Sequence, residues 1–242
     1  MPWKRARARL TRLEKHEIVW LLVALGTCVL LLAFLTLAGE VMVGNTLAFD
    51  TRILRLLRKP DDPSTPIGPL WIQASLIDLT ALGGPTVLTL VVLAVIGFLL
   101  LQARYRSALV IALAAATGEL LNAAMKSLFV RPRPDVVPHL RVVYETSFPS
   151  GHAMNSAIIY LTLGAMLMRL TDRRLTKVYC LTLALVATFL VGVSRVYLGV
   201  HYPTDVLAGW TIGLAWASVC WLVERRLDVR AGIREERRRM LG

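Results

Sequence analysis

The chain has 242 residues, 56% of them hydrophobic and 18% charged, with a formal net charge of +12. This is more apolar material than one soluble core of that length uses, which excludes an ordinary soluble domain and directs the surplus to a bilayer. The positive charge alone would suit a nucleic-acid partner, but where it sits along the chain argues against one.

Apolar windows near the length of about 20 residues that crosses about 30 Å of hydrocarbon occur at residues 18–39, 85–103, 107–129, 153–168, 176–193 and 206–223. They predict an all-α, polytopic membrane protein of six transmembrane helices, forming one domain over residues 1–242. The first window is too long for the apolar region of a signal peptide and no clear small-x-small site follows it, so it is expected to be a retained helix. The fourth is the shortest, and needs the Gly151–His152 turn or a snorkelling Arg169 to complete a crossing.

Between the first two spans lies the longest connection, residues 40–84, expected to face outward. Over 43–59, Val43, Leu47, Leu54 and Leu57 share a helical stripe, with Asp50, Arg52 and Arg55 elsewhere, as in an interfacial helix. Four prolines between 59 and 69 break the helix. Trp71 is expected to anchor a second surface segment near the headgroups. The whole excursion reads either as a lid or lateral wall, or as a plain solvated loop.

Lys and Arg cluster at residues 4–15, 104–106, 169–177 and 225–239, and these hold 19 of the 28 basic residues. With six spans all four clusters fall on one side, which the positive-inside rule makes the cytoplasm, with both termini there. Topology signalling and attraction to anionic headgroups explain the charge, and no nucleic-acid partner is expected. Cys28, Cys180 and Cys220 lie in apolar spans as small hydrophobes, implying neither a disulfide framework nor a metal site.

Three polar segments interrupt the apolar pattern, and the topology puts all of them at the outer ends of spans. They run from Lys126 to Arg133 and Pro134, over Pro149-Ser150-Gly151-His152, and from Ser194-Arg195 to His201 and Asp205. Ionisable groups at the hydrocarbon boundary are costly and call for a function. Lys126, Arg133 and Arg195 supply cations for phosphate oxygens. Arg131 and Arg141 read as helix-end markers. Ser150 and Gly151 precede a helix whose free N–H groups favour an anion, and Ser150 also suits a simple N-cap. His201 and Asp205 flank Pro203 at a spacing of four, so the carboxylate can fix one imidazole nitrogen and leave the other free to attack. His152 is then placed to protonate the leaving oxygen. His16 and His139 read as surface residues. Cations and backbone donors would suffice for phosphoryl transfer without a cofactor or metal, and Asp61 and Asp62, the acidic pair of the outer loops, read as a turn.

Lys126-x6-Arg133-Pro134, Pro149-Ser150-Gly151-His152 and Ser194-Arg195-x5-His201-x3-Asp205 resemble the three-part signature of the type 2 phosphatidic acid phosphatase superfamily. The resemblance implies a metal-independent phosphatase with a phosphohistidine at His201, Asp205 orienting it, His152 as general acid, and Lys126, Arg133, Ser150, Gly151 and Arg195 holding phosphate. It implies as substrate a lipid phosphate or pyrophosphate such as undecaprenyl pyrophosphate, phosphatidylglycerol phosphate or phosphatidic acid, met among membrane lipids. The expected location is the inner (plasma) membrane, with the site extracytoplasmic. A flippase or transporter that binds an anionic lipid without hydrolysis is the alternative, hinted at by intramembrane Glu119, which more simply pairs with a cation or amide in the bundle. The spans show no persuasive small-xxx-small face for a dimer.

Overall fold

The computed structural model describes residues 17–227 with their side chains, apart from positions 142, 144 and 170, and the helical backbone alone over 2–16 and 228–241. His16, the basic cluster at 4–15 and the part of the C-terminal cluster beyond residue 227 lie outside the described side chains. The elements in order are α1 (Pro2–Val43), α2 (Leu47–Leu56), β1 (Arg58–Lys59), β2 (Asp62–Pro66), α3 (Leu70–Ala81), α4 (Pro85–Leu101), α5 (Tyr105–Leu128), α6 (Gly151–Leu167), α7 (Arg174–Tyr197) and α8 (Pro203–Leu241).

Among the described residues four helical stretches are long and apolar enough to cross a membrane: Glu17–Val43, Tyr105–Leu128, Arg174–Tyr197 and Pro203–Leu227. A fifth arises if α3 and α4, bent by 51° at a short break, act as one span. Six crossings, as the apolar windows suggest, would need α4 by itself and α6 to span as well. Each has 17 residues, the lower end of the range that spans a bilayer, and at 1.5 Å per residue reaches about 25 Å. The segment at Trp71 is the helix α3, the first half of this bent pair. In the break, a Cβ at Gly83 would collide with a Val191 methyl and stand 3.1 Å from the His152 carbonyl, so only glycine lets the turn press against the start of α6. The proline-rich segment does leave the helix, into a short antiparallel hairpin that pairs Arg58 with Pro66 and Lys59 with Asp62. Asp62 caps its turn, accepting from the Ser64 amide at 3.0 Å.

The outside of the bundle is apolar. In Glu17–Val43 only 11% of the most apolar window is buried, and leucines such as Leu21, Leu32, Leu90 and Leu183 are exposed on the helix surfaces. Water would penalise that surface heavily, whereas lipid chains solvate it. The interior is built around α6, which packs against α8, α7, α5 and α4. Close approach explains its small residues. A Cβ at Gly209 would lie 2.7 Å from the Ser150 carbonyl oxygen, and one at Gly213 would lie 2.7 Å from that of Met154. Gly209-xxx-Gly213 is therefore a small-xxx-small stripe that the sequence reading overlooked, used within the chain to seat α8 on α6.

Polarity along the bundle follows from the alternating helix directions. The C-termini of α5 and α7 and the N-termini of α6 and α8 share one end. At the other, Arg104, Arg106, Arg169 and Glu224 line one pocket, and Arg226 lies over the Trp20 ring at 5.4 Å. The described members of the basic clusters thus gather at the end away from the polar motifs.

Candidate active site

The segment joining α5 to α6 is pinned by aromatic packing. Phe148, fully buried, stacks on Phe34 of α1 at 6.0 Å and meets Phe129 edge-on at 5.3 Å. This fixes the entry to Pro149-Ser150, and the Ser150 amide donates to the Asp205 carbonyl at 3.0 Å, joining the starts of α6 and α8. Pro203 opens α8, where its missing N–H costs nothing. His201 consequently sits just before the helix and Asp205 in its first turn.

His201 is 2% exposed and Asp205 fully buried. Their closest approach, Nδ1 to Oδ2, is 3.6 Å, longer than a hydrogen bond. Ser147 bridges them: its hydroxyl donates to Asp205 Oδ2 at 2.5 Å and lies 3.4 Å from His201 Nδ1. On the other side of the ring Nε2 lies 3.2 Å from Arg133 Nη1. A guanidinium only donates, so Nε2 is the acceptor and the proton resides on Nδ1, facing Ser147 and Asp205. Burial pushes the imidazole pKa down to about 4, against the opposing pull of Asp205, so the ring is neutral at neutral pH with the Nε2 lone pair turned to Arg133.

Asp205 is held on its other oxygen by Arg131, Nη1 to Oδ1 at 2.5 Å, while the Tyr202 amide donates to Oδ2 at 2.9 Å. Arg131 also reaches Asp50 of α2 at 2.8 Å, and Asp50 accepts from the Thr204 amide at 3.0 Å and its hydroxyl at 2.6 Å. Burial acts to lower the Arg131 pKa, but the Asp205 and Asp50 carboxylates outweigh it and hold the group charged. Two sequence readings change here. Arg131 is the shared counter-ion of two buried carboxylates, where the sequence suggested only a helix-end marker, and Asp50 faces the protein interior, where the stripe of α2 suggested a solvent side.

The expected phosphate ligands converge on the same end. Arg133 donates through Nε to the Glu145 carbonyl and through Nη1 to the Val200 carbonyl, both at 2.6 Å. Lys126 pairs with the carboxylate of Glu145, which is itself largely exposed. Arg195 is 2% exposed and donates to Thr80 of α3 at 2.9 Å, leaving its Nε without a partner. The Ser150 hydroxyl is also buried without a partner and makes no side-chain cap bond, so the simple N-cap reading is not what the geometry shows. Gly151 lies against Asn122, where a Cβ would approach the amide to 3.1 Å. His152 begins α6 in the electrostatic neighbourhood of Arg195, His201, Arg141 and Lys126. Ser194 is buried and turned to the Val191 carbonyl at 2.6 Å. His139 is exposed, 2.6 Å from the Pro134 carbonyl. Glu119 accepts from the Asn155 amide at 2.7 Å, the amide pairing the sequence suggested.

Arg195 and Ser150, each with an unpartnered polar atom, the cations of Lys126 and Arg133 and the N-terminus of α6 share one end of the bundle with the imidazole nitrogen that accepts from Arg133. Such a set can neutralise the oxygens of a phosphoryl group while Nε2 attacks phosphorus. Ser147, Thr80 and Thr204 were missed in the sequence because single hydroxyls carry no spacing signal. The Arg131–Asp50 pair was missed because its partners lie 81 positions apart.

The family model of the PAP2 superfamily matches residues 107–228. The chain is 33% identical over 193 residues to phosphatidylglycerophosphatase B of Bacillus subtilis, covering 76% of this chain and 88% of that one. It is 40% identical over 72 residues to an undecaprenyl-diphosphatase of Sulfolobus acidocaldarius, covering 30% of each. The crystal structure of a transmembrane PAP2-type phosphatidylglycerolphosphate phosphatase from Bacillus subtilis superposes with a TM-score of 0.72 at 30% identity, covering 83% of this chain and 96% of that one.

Proposed function

The chain belongs to the PAP2 superfamily and is a phosphatase of it, and from that premise we propose that it removes phosphate from a lipid phosphate or pyrophosphate through a phosphohistidine at His201. One observation carries the reading: a buried, neutral imidazole has its protonated nitrogen turned to Ser147 and Asp205 and its lone pair turned to Arg133. Substrate oxygens take the place of that lone pair as Arg133's partner, joined by Lys126, Arg195, Ser150 and the first amides of α6. Nε2 then forms a bond to phosphorus as the bond to the leaving oxygen breaks, and His152 delivers a proton to that oxygen. Asp205 and Ser147 stabilise the positive charge that the ring acquires. Water next attacks phosphorus, gives its proton to His152, and inorganic phosphate departs as His201 is regenerated.

The Bacillus relatives make phosphatidylglycerol phosphate the first substrate to try, with undecaprenyl pyrophosphate and phosphatidic acid beside it. The site end faces out of the cytoplasm in this reading, since the described members of the basic clusters, Arg104, Arg106, Arg169 and Arg226 among them, gather at the opposite end. A transporter finds less support, because Glu119 is engaged by Asn155. The deciding experiment compares phosphate release from the three lipids in detergent by the wild-type chain and by His201→Ala. Loss of at least about a thousandfold is expected, with a phosphohistidine trapped only in the wild type. Undiminished turnover by His201→Ala, or a soluble sugar phosphate as best substrate, overturns the proposal.

A further inference from the structure

A second basic pocket, of about 590 Å³, lies outside this centre, between α2 and the hairpin, and is lined by Thr51, Arg52, Arg55, Arg58 and Ile67 among others. Three guanidiniums line it and no carboxylate does. Arg58 is the unusual member, only 3% exposed. Its Nη1 donates to the Tyr197 carbonyl at 3.0 Å and the Leu57 carbonyl at 3.2 Å, while Nε and Nη2 have no partner at all. Among the described residues no carboxylate pairs with it. Burial pushes its pKa down, as expected for a cation without a counter-charge. The backbone beneath accommodates this side chain through Gly199, in the left-handed region at φ +72°, where a Cβ would stand 2.8 Å from Nη2.

An uncompensated buried charge is expensive and calls for an anion. Arg52 and Arg55, both exposed on the rim, supply the planar forks that grip phosphate oxygens. We propose that this pocket binds a phosphate-class oxyanion that is not being hydrolysed, with Arg52 and Arg55 holding its oxygens and Arg58 supplying positive charge from below. The same chemistry is offered by the phosphodiester of an anionic lipid headgroup and by free phosphate. The headgroup fits the surroundings better, since Leu56 and Ile67 in the pocket lining expose apolar surface, and arginines beside such surface sit where headgroups lie. This site goes beyond the phosphatase reading, and its occupancy is measured without turnover.

The test is native mass spectrometry and thermal unfolding of the full chain in a neutral detergent. The probes are dioctanoyl phosphatidylglycerol, a diester that carries no monoester phosphate, the zwitterionic dioctanoyl phosphatidylcholine, and inorganic phosphate. The wild type is expected to retain and be stabilised by the anionic diester over the zwitterionic lipid, and R52Q/R55Q, altered only at exposed positions, to lose about tenfold in affinity as two charge-assisted contacts go. Loss confined to the diester supports a headgroup site, and loss for inorganic phosphate as well supports a site for which the free ion suffices. Arg58→Met is expected to weaken the diester-induced thermal shift as the rim variant does, without lowering the midpoint of the ligand-free protein; if that variant does not fold, the rim variant decides. Equal retention of both lipids by the wild type, or wild-type affinity in R52Q/R55Q, overturns the proposal.

Discussion

Replacing Arg131 by Met removes the cation that Asp50 and Asp205 share, at 2.8 and 2.5 Å, inside the protein. Each contact carries roughly 6 kcal/mol of attraction at an effective dielectric near 20. The cost of burying the ions offsets much of this, but truncating one partner restores none of that cost, because the carboxylates stay buried and lose their counter-charge. Breaking a buried pair in this way costs about 3–5 kcal/mol, and Arg131 also stacks on Tyr202 at 4.1 Å, which adds about 1 kcal/mol. For a chain of this size that corresponds to a fall in unfolding midpoint on the order of 10 °C. The assay is thermal unfolding in detergent for Arg131→Met, Asp50→Asn and the double variant. A non-additivity of about 1–3 kcal/mol is expected, since Asp50→Asn removes one of the charges that Arg131→Met strands. Arg131→Lys should rescue poorly, because one ammonium cannot span both carboxylates and Thr204, which the guanidinium reaches at 2.9 Å. In kinetics Arg131→Met should lower kcat more than it raises KM, since Asp205 loses its anchor while the phosphate ligands remain. An unfolding midpoint within about 2 °C of the wild type, or additive single effects, would refute the idea that Arg131 braces two carboxylates at once.

Two further outcomes follow from the site. His201, with an unfolded pKa near 6.5 and a folded one of about 4, binds fewer protons folded than unfolded between those values, so its contribution is complete above pH 6.5 and is lost as pH falls toward 4. That amounts to about 3 kcal/mol at most, read as a steeper loss of stability on acidification in the wild type than in His201→Gln; equal slopes would contradict a buried neutral ring. Glu145 pairs with Lys126 from an exposed position, so Glu145→Gln should free the ammonium for an anionic substrate and lower KM by about two- to fivefold, the scale of a partly exposed ion pair. A raised KM in steady-state assays would show instead that Glu145 orders Lys126 for binding.

Membrane residence and the candidate residues of the centre were picked out in the sequence for different reasons. Residence follows from apolar length against a fixed hydrocarbon thickness, a property that needs no partner. His201, Asp205, His152, Lys126, Arg133, Ser150, Gly151 and Arg195 stand out because polar groups at span ends are costly and must be useful there. The spacing of four brings the Asp205 carboxylate to 3.6 Å from one imidazole nitrogen of His201, and Ser147, which no spacing pointed to, bridges the two. Apolar windows say less about how many helices cross, since α6, with 17 residues, is enclosed by other helices and its window alone does not set how far it reaches.

Tertiary structure alone decided which charges pair. Arg131, Asp50 and Thr204 carry no motif, and they meet because α2 folds back over the start of α8. Only the packed bundle determines that Gly209 and Gly213 face α6 and not a second copy. Periodicity and spacing report interactions along one helix, where neighbours lie three or four residues apart. The counter-charge of a buried ion can come from any segment the fold brings within about 3 Å, and no one-dimensional pattern encodes that distance.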